Sequence, residues 1–277
     1  MRISGKGLIN REKLVNFKFD GSDYKGFEGD TVASALLASG KKLFGRSFKY
    51  HRPRGVLTAG SEEPNALLTV GQGAFQDPNI RATTQEIFEG LITKSQNNWP
   101  NLHYDILSAN DLFSDFLGAG FYYKTFMWPK SFWEKVYEPF IRRAAGLGAL
   151  SGLHNSDTYE KAYTFCDLLI IGGGPSGLMA AKIAAEAGLD VIIVEQEPIF
   201  GGRLISETEE VDGMPGSVWA AKTVKNLEEL NNVRLFSRTT VTGAYDQGTF
   251  AAVERVGHHL SDRGGDRPLE CFWRIVA

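Results

Sequence analysis

The sequence predicts an α/β protein with two domains, a small β-grasp domain followed by a Rossmann-like domain. Three observations lead to this fold class. The chain has 277 residues, more than one domain usually contains. A strand, hairpin, helix, strand order precedes residue 70. Beyond residue 165, an apolar strand runs into a glycine-rich turn and then a helix, the order typical of a dinucleotide-binding unit.

The glycine-rich turn predicts the chemistry of the second domain. An apolar run at 166–171 leads into Gly-Gly-Gly-Pro-Ser-Gly at 172–177. In such turns the first glycine allows the tight turn, the second lets the backbone approach a pyrophosphate, and the third lets the helix pack on the sheet. The helix N-terminus would then face the phosphates. The residues expected at the phosphates are Gly172, Gly174, Pro175, Ser176 and Gly177. The alternative is a similar turn that binds no ligand.

An acid ends the next strand. Residues 189–194 read as a second buried strand, and Glu195 follows at about 20 residues after the glycines, where an acid holds the adenosine ribose hydroxyls. A carboxylate there would repel a ribose 2′-phosphate. The pattern therefore favours NAD or FAD over NADP, and it does not separate NAD from FAD.

A second glycine loop follows at Gly201-Gly202-Arg203. Gly202 permits close approach of the backbone, and the Arg203 guanidinium could meet a phosphate or carboxylate. The alternative for Arg203 is an exposed surface arginine.

Composition restricts the other function classes. The net charge of −3 gives no electrostatic reason to expect nucleic acid. The sequence contains no run of about 18 apolar residues, so no membrane span is predicted. The N-terminus lacks the apolar core of a secretory signal. Two cysteines and scattered histidines support neither a disulfide framework nor a metal site. We expect reduced thiols, loop or surface histidines and a soluble, cytoplasmic protein.

The first domain is predicted over residues 10–100. An alternating strand from Leu14 ends at an Asp-Gly turn and opens a hairpin, and Asp30 or Thr31 can cap the following helix. A connector at 101–160 carries most of its aromatic residues between 113 and 140. Core packing is one interpretation of that crowding, and contact with a partner subunit is the other. The nucleotide domain then occupies 161–277.

The loop between the helix and the last strand of the first domain carries a specific resemblance. The segment Arg-Ser-Phe-Lys-Tyr-His-Arg-Pro-Arg-Gly at 46–55 and the loop after it resemble the ferredoxin-like domain of a family of amine and amino-acid oxidoreductases. In that family the loop can carry a Cys-x4-Cys-x2-Cys motif. Its cysteine positions align here with Thr58, Glu63 and Ala66, so we expect no iron–sulfur cluster. Over nearly its whole length the chain resembles the alpha subunits of heterotetrameric sarcosine oxidases.

The resemblance implies an oxidative demethylation. Sarcosine, water and oxygen yield glycine, formaldehyde and hydrogen peroxide, or a methylene group passes to tetrahydrofolate. It also implies beta, gamma and delta subunits, with FAD and the amine substrate on the beta-type partner and FMN at the alpha–beta boundary. NAD is the cofactor implied for the domain seen here. Related subunits for proline or opines, with FAD in the same motif, and a non-catalytic assembly scaffold are the alternatives.

The same resemblance implies further cofactor contacts. Gln196 and Glu197 would join Glu195 at the ribose and adenine edge, the Val241 backbone would meet the adenine, and Gly202 and Arg203 would close over the cofactor. None of these residues is an obvious catalytic acid, base or nucleophile. A strand over 270–277 reads as lacking a partner, so the nucleotide domain is expected to be truncated and the isolated chain inactive.

Overall fold

A computed structural model of the chain describes residues 2–3, 7–115, 118, 120, 126, 128–144, 146–261 and 266–277. It divides into two compact units. The first consists of residues 1–4 and 8–156, and the second of residues 5–7 and 157–277. The predicted connector, 101–160, is thus divided between them.

The first unit is built on a five-stranded sheet with one main helix against it. Its elements are β1 (Asn10–Phe19), β2 (Ser22–Glu28), α1 (Val32–Ala38), β3 (Gly45–Arg46), β4 (Pro53–Arg54), β5 (Leu67–Val70), β6 (Asp77–Arg81) and β7 (Leu91–Ser95). The strand order is β2-β1-β7-β5-β6, and β1 and β7 run parallel at its centre. This is the expected β-grasp arrangement.

The hairpin and the helix form for the reasons that the sequence indicates. Alternate residues of β1 are buried, as a half-buried strand requires. Asp20 and Gly21 both adopt positive φ, 49° and 77°, which suits a two-residue hairpin turn. Thr31 caps α1: its hydroxyl accepts from the Ser34 N–H at 3.2 Å, and the Ser34 hydroxyl accepts from the Thr31 N–H at 3.0 Å.

A buried polar cluster joins the 46–55 segment to Asp105. His51 is only 2% exposed, and its Nδ1 lies 2.6 Å from Oδ2 of Asp105. Oδ1 of Asp105 accepts from the backbone N–H groups of Trp99 and Leu107, at 3.0 and 3.2 Å. The Arg46 side chain donates to the carbonyls of Leu102, His103 and His51. His51 is thus a loop histidine with a hydrogen-bond partner, as predicted. Its burial against a segment more than 50 residues away is not revealed by local pattern.

The aromatic segment is exposed over most of its described part. A short helical turn at Ile106–Phe113 leads into it, followed by a turn at Trp133–Tyr137 and helix α2 (Glu138–Ala144). Large apolar side chains on its surface include Phe113, Trp128, Phe132 and Phe140. Core packing does not describe these side chains. Phe116 and residues 121–125 of this segment lie outside the described residues.

The second unit contains the predicted strand-turn-helix. Its elements are β8 (Tyr159–Phe165), β9 (Leu168–Ile171), α3 (Pro175–Glu186), β10 (Val191–Val194), β11 (Glu210–Val211), β12 (Met214–Pro215), α4 (Gly216–Glu228), β13 (Val233–Phe236), β14 (Thr239–Tyr245), β15 (Thr249–Arg255) and β16 (Glu270–Val276). Strands β13, β10 and β9 form a parallel sheet, and β14, β15 and β16 form an antiparallel meander that β8 joins.

Strand β10 lies at the centre of this unit because both of its faces are apolar. Val191 and Ile193 belong to the core that α3 and α4 form on one side of the parallel sheet. Ile192 and Val194 pack with Ala252 of the meander. Alternate residues of a strand face opposite sides, so a continuous apolar run is what a doubly covered strand requires.

The last strand corrects one expectation. The sequence suggested that 270–277 lacks a partner, but β16 pairs with β15 from Glu270↔Arg255 to Val276↔Thr249 and runs parallel to β8. The β8 partner lies more than 100 residues earlier, so no local pattern reveals the pairing. Among the described residues, no helix is both long and apolar enough to cross a membrane.

Candidate dinucleotide-binding site

The glycine turn joins β9 to the start of α3. Gly172 has φ +103°, a conformation that favours glycine, and its N–H donates to the Val194 carbonyl at 2.8 Å. Gly174 caps α3, and Pro175 occupies the first helical position, where it needs no N–H. The first helical bond joins the Leu178 N–H to the Gly174 carbonyl at 2.9 Å. The earlier N–H groups of the helix, including that of Ser176, therefore have no intrahelical acceptor.

The glycines of the turn have different steric surroundings. A Cβ on Gly177 would lie 2.0 Å from the carbonyl oxygen of Gly172, and one on Gly173 would lie 2.3 Å from the Phe200 ring. A Cβ on Gly174 would meet no atom within 4 Å. Gly177 is thus required for helix–strand packing, whereas Gly174 faces open space at the helix N-terminus. The sequence did not reveal this steric requirement at Gly173, because Gly173 occupies a variable position of the motif.

Glu195 is buried at the end of β10 and holds the loops around the turn. It is 8% exposed. Its Oε2 accepts from the Gly173 N–H at 2.7 Å, and its Oε1 accepts from the Glu197 N–H at 3.0 Å. Each carboxylate oxygen can accept a second hydrogen bond, so these contacts leave capacity for a ribose hydroxyl. The ribose contact stays a prediction.

The second glycine loop packs against the first. The Gly201 N–H donates to the Gly173 carbonyl at 2.8 Å, and a Cβ on Gly202 would lie 3.1 Å from the Cα of Gly174. Gly201 and Gly202 have φ of +125° and +52°. Gly202 therefore lies beside the turn, and its contact with a cofactor stays a prediction.

The structure does not bring the Arg203 side chain to the turn. Its guanidinium pairs with Glu207, Nε to Oε1 at 2.6 Å, and the side chain is 87% exposed. This is the surface-arginine alternative.

The remaining predicted contacts lie on neighbouring strands and loops. The Gln196 carbonyl accepts from the Arg255 guanidinium at 2.6 Å, which ties this loop to β15. Val241 pairs with Ala252 in the meander, and its side chain packs against the core beside β10. The contact of its backbone with adenine stays a prediction. Arg255 was not singled out in the sequence, because it lies about 60 residues from the loop that it holds.

Arg203→Ala is expected to leave the stability of the second unit nearly unchanged, because an exposed i,i+4 ion pair contributes little. Thermal unfolding of the variant and the unchanged protein measures this. A large loss of stability would show that Arg203 supports the loop itself.

A second buried carboxylate lies in the first unit. Glu63 is 1% exposed and accepts four backbone N–H bonds. Its Oε2 accepts from Leu57 and Thr58 at 2.7 and 2.8 Å, and its Oε1 accepts from Asn65 and Ala66 at 2.7 and 3.1 Å. Burial raises the pKa of Glu63, but the N–H groups of Thr58, Asn65, Leu57 and Ala66 together outweigh burial and leave the pKa lowered.

Two protein families match the chain. Residues 12–98 match the 2Fe-2S iron-sulfur cluster binding domain, and residues 167–257 match the FAD dependent oxidoreductases. Sarcosine oxidase subunit alpha of Rhizobium meliloti strain 1021 is 54% identical over 276 residues, 100% of this chain and 28% of that protein. The chain is a homologue of sarcosine oxidase alpha subunits. It thus spans only about a quarter of the length of such relatives.

A more distant sarcosine oxidase alpha subunit and one solved structure also match the chain. The alpha subunit of Corynebacterium sp. strain U-96 is 30% identical over 274 residues, 97% of this chain and 23% of that protein. The crystal structure of L-proline dehydrogenase from P. horikoshii matches with a TM-score of 0.56 and 18% identity, over 99% of this chain and 41% of that one. This likeness shows the fold alone.

The matches correct the cofactor expectation. We expected no iron–sulfur cluster in the first domain, and NAD before FAD in the second. The matched families are described by a 2Fe-2S cluster and by FAD, so the expectation of a cluster-free, NAD-binding chain is wrong at the level of family.

The side chains of the first unit do not, however, fit that cluster. Such clusters are held by cysteine thiolates. The two cysteines of the chain, Cys166 and Cys271, both lie in the second unit, where burial raises the pKa of each thiol. The described residues include no group of three or more His, Cys, Asp or Glu that could hold a metal.

Proposed function

We propose that the second unit binds the ADP portion of FAD at the 172–177 turn. The observation that carries this proposal is the open space at Gly174, directly before the N-terminus of a 12-residue helix. A pyrophosphate could approach the backbone there and accept from unpaired N–H groups in a favourable dipole field. The match of residues 167–257 to FAD dependent oxidoreductases supports FAD as the dinucleotide.

Different residues would contact different parts of the cofactor. Gly172, Gly174 and Ser176 would surround the pyrophosphate, and Pro175 and Gly177 would shape the start of the helix. Glu195 would accept from the ribose hydroxyls while keeping its bond to the Gly173 N–H. The other proposed contacts are Gln196, Glu197, Gly202, Arg203 and the Val241 backbone. For Arg203 to join them, its guanidinium must leave Glu207.

We propose that the chain serves a sarcosine-oxidising enzyme with several subunits. Its relatives are named as alpha subunits of sarcosine oxidase. Sarcosine, water and oxygen would yield glycine, formaldehyde and hydrogen peroxide. A bound flavin supplies a two-electron acceptor for such chemistry. The described residues supply binding and positioning, and the amine would be held by a beta-type partner, with gamma and delta subunits completing the assembly.

The cofactor can be identified directly. The subunit is purified apart from the beta-type partner, which would carry FAD of its own, and is then denatured. The released nucleotides are separated and quantified for the unchanged protein and the Gly174→Val variant. We expect FAD in the unchanged protein and a reduced amount in the variant. Equal FAD in both would place the cofactor elsewhere, and release of NAD alone would overturn the choice of FAD.

Activity is expected from the assembly and not from the 277-residue chain alone. Hydrogen peroxide and formaldehyde production from sarcosine, compared with proline as substrate, measures this. Turnover by the isolated chain would show that an active site lies within it. An assembly inactive on both amines would favour a scaffold role.

Glu195→Gln is expected to weaken FAD binding about 10-fold or more and to destabilise the second unit by about 1–3 kcal/mol. Both carboxylate oxygens accept from N–H groups, so an amide NH2 would place a donor against a donor. FAD titration and urea unfolding measure the two effects. Glu186→Gln, at an exposed position near the end of α3, is the matched control. Equal FAD affinity and equal stability of the two variants would contradict the proposed role of Glu195.

A further inference from the structure

The loop from Leu57 to Ala66 encloses the side chain of one of its own residues. Four backbone N–H groups converge on the Glu63 carboxylate, two on each oxygen, at 2.7–3.1 Å. Two of the donors precede Glu63 in the chain and two follow it. The side chain is therefore surrounded by the backbone of the segment that carries it.

The surroundings of this carboxylate are those of an anion-binding nest. Successive backbone N–H groups that point into one concavity form such a nest in many proteins. Among the described residues, these four backbone N–H groups are the hydrogen-bond donors to the Glu63 carboxylate, and no cationic side chain forms an ion pair with it. The negative charge is thus stabilised by backbone dipoles.

The rest of the loop is held independently of Glu63. The Thr83 hydroxyl donates to the Gly60 carbonyl at 2.6 Å. At its end, Ala66 is fully buried in the core of the first unit, and its carbonyl accepts from the Ala82 N–H at 2.9 Å. Loss of the carboxylate should therefore disturb the loop while leaving the sheet in place.

We propose that the 57–66 loop is an anion-binding site whose built-in ligand is the Glu63 carboxylate, and that removal of this side chain leaves a site for a small external carboxylate. The backbone supplies the recognition, so any anion with two oxygens of carboxylate geometry fits the same four donors. This inference concerns the first unit and does not depend on the proposed FAD site.

The test uses Glu63→Ala in the full chain with sodium formate as the external carboxylate. We expect hydrogen exchange at the amides of Leu57, Thr58, Asn65 and Ala66 to accelerate at least about 10-fold in the variant. Formate should restore much of the protection, and formamide at equal concentration, which has one oxygen and no charge, should not. Glu62→Ala, at the exposed neighbouring position, is the matched control. Its amide exchange should not accelerate, and neither formate nor formamide should change it.

The outcomes separate clearly. Unchanged exchange in Glu63→Ala, or equal rescue by formate and formamide, would overturn the proposal. If Glu63→Ala folds only with formate and not with formamide, the proposal is supported. Glu63→Gln gives a second test, because an amide can satisfy only part of the four donors: a Tm equal to that of the unchanged chain would overturn the proposal.

Discussion

Gly174→Val is expected to fold normally and to lose at least about 100-fold in FAD affinity, which corresponds to about 2.7 kcal/mol. Gly174 has φ −73°, a conformation open to any residue, and a Cβ there meets no protein atom within 4 Å. The valine would therefore occupy the space that the pyrophosphate needs. FAD content per chain and titration of the emptied protein measure the effect, and circular dichroism checks the fold.

Gly177→Ala separates steric blocking of the ligand from damage to the turn. Its Cβ would lie 2.0 Å from the Gly172 carbonyl oxygen, a backbone atom that cannot turn aside. We expect a stability loss of about 3 kcal/mol or more in the second unit. If instead Gly174→Val unfolded the unit and Gly177→Ala did not, the steric roles assigned to the two glycines would be reversed.

Asp105→Ala is expected to destabilise the first unit by about 3–5 kcal/mol. The carboxylate is buried and contacts His51 and the N–H groups of Trp99 and Leu107. Its removal leaves these buried polar groups without their acceptor, which costs more than the bonds themselves contribute. Urea unfolding followed by fluorescence measures the loss.

Asp111→Ala is the matched control for this cluster. Asp111 pairs with Arg52 at 2.7 Å, but both side chains are about half exposed, and solvent weakens such a pair. We expect a much smaller effect than for Asp105→Ala. Equal losses of stability in the two variants would contradict the view that burial makes the His51–Asp105 pair more stabilising than the exposed pair.

Local patterns predicted much of the fold. The Asp20-Gly21 turn, the Thr31 cap and the apolar run of β10 each depend on neighbouring residues, and each is confirmed. The glycine turn was recognisable for the same reason, since every residue that shapes it lies within one strand-turn-helix.

Long-range contacts were not predictable in this way. The pairing of β16 with β8, the burial of His51 and the bond from Arg255 to the Gln196 carbonyl all join segments far apart in the chain. Sequence periodicity reports which face of an element is apolar and not which distant segment covers it. The expectation that the chain lacks a cluster was wrong for a different reason. It rested on the missing cysteines, whereas residues 12–98 match a family described by a 2Fe-2S cluster.

The sequence by itself determined the order of the two domains, the position of the glycine-rich turn and the acid that follows it, because glycine, proline and apolar residues act through local backbone geometry. Only the tertiary structure decided which glycine faces open space, that Glu195 bonds Gly173, and that Glu63 fills a nest of four N–H groups. These depend on the distances that folding creates between separate segments, and a hydrogen bond or a steric clash is decided by less than 1 Å.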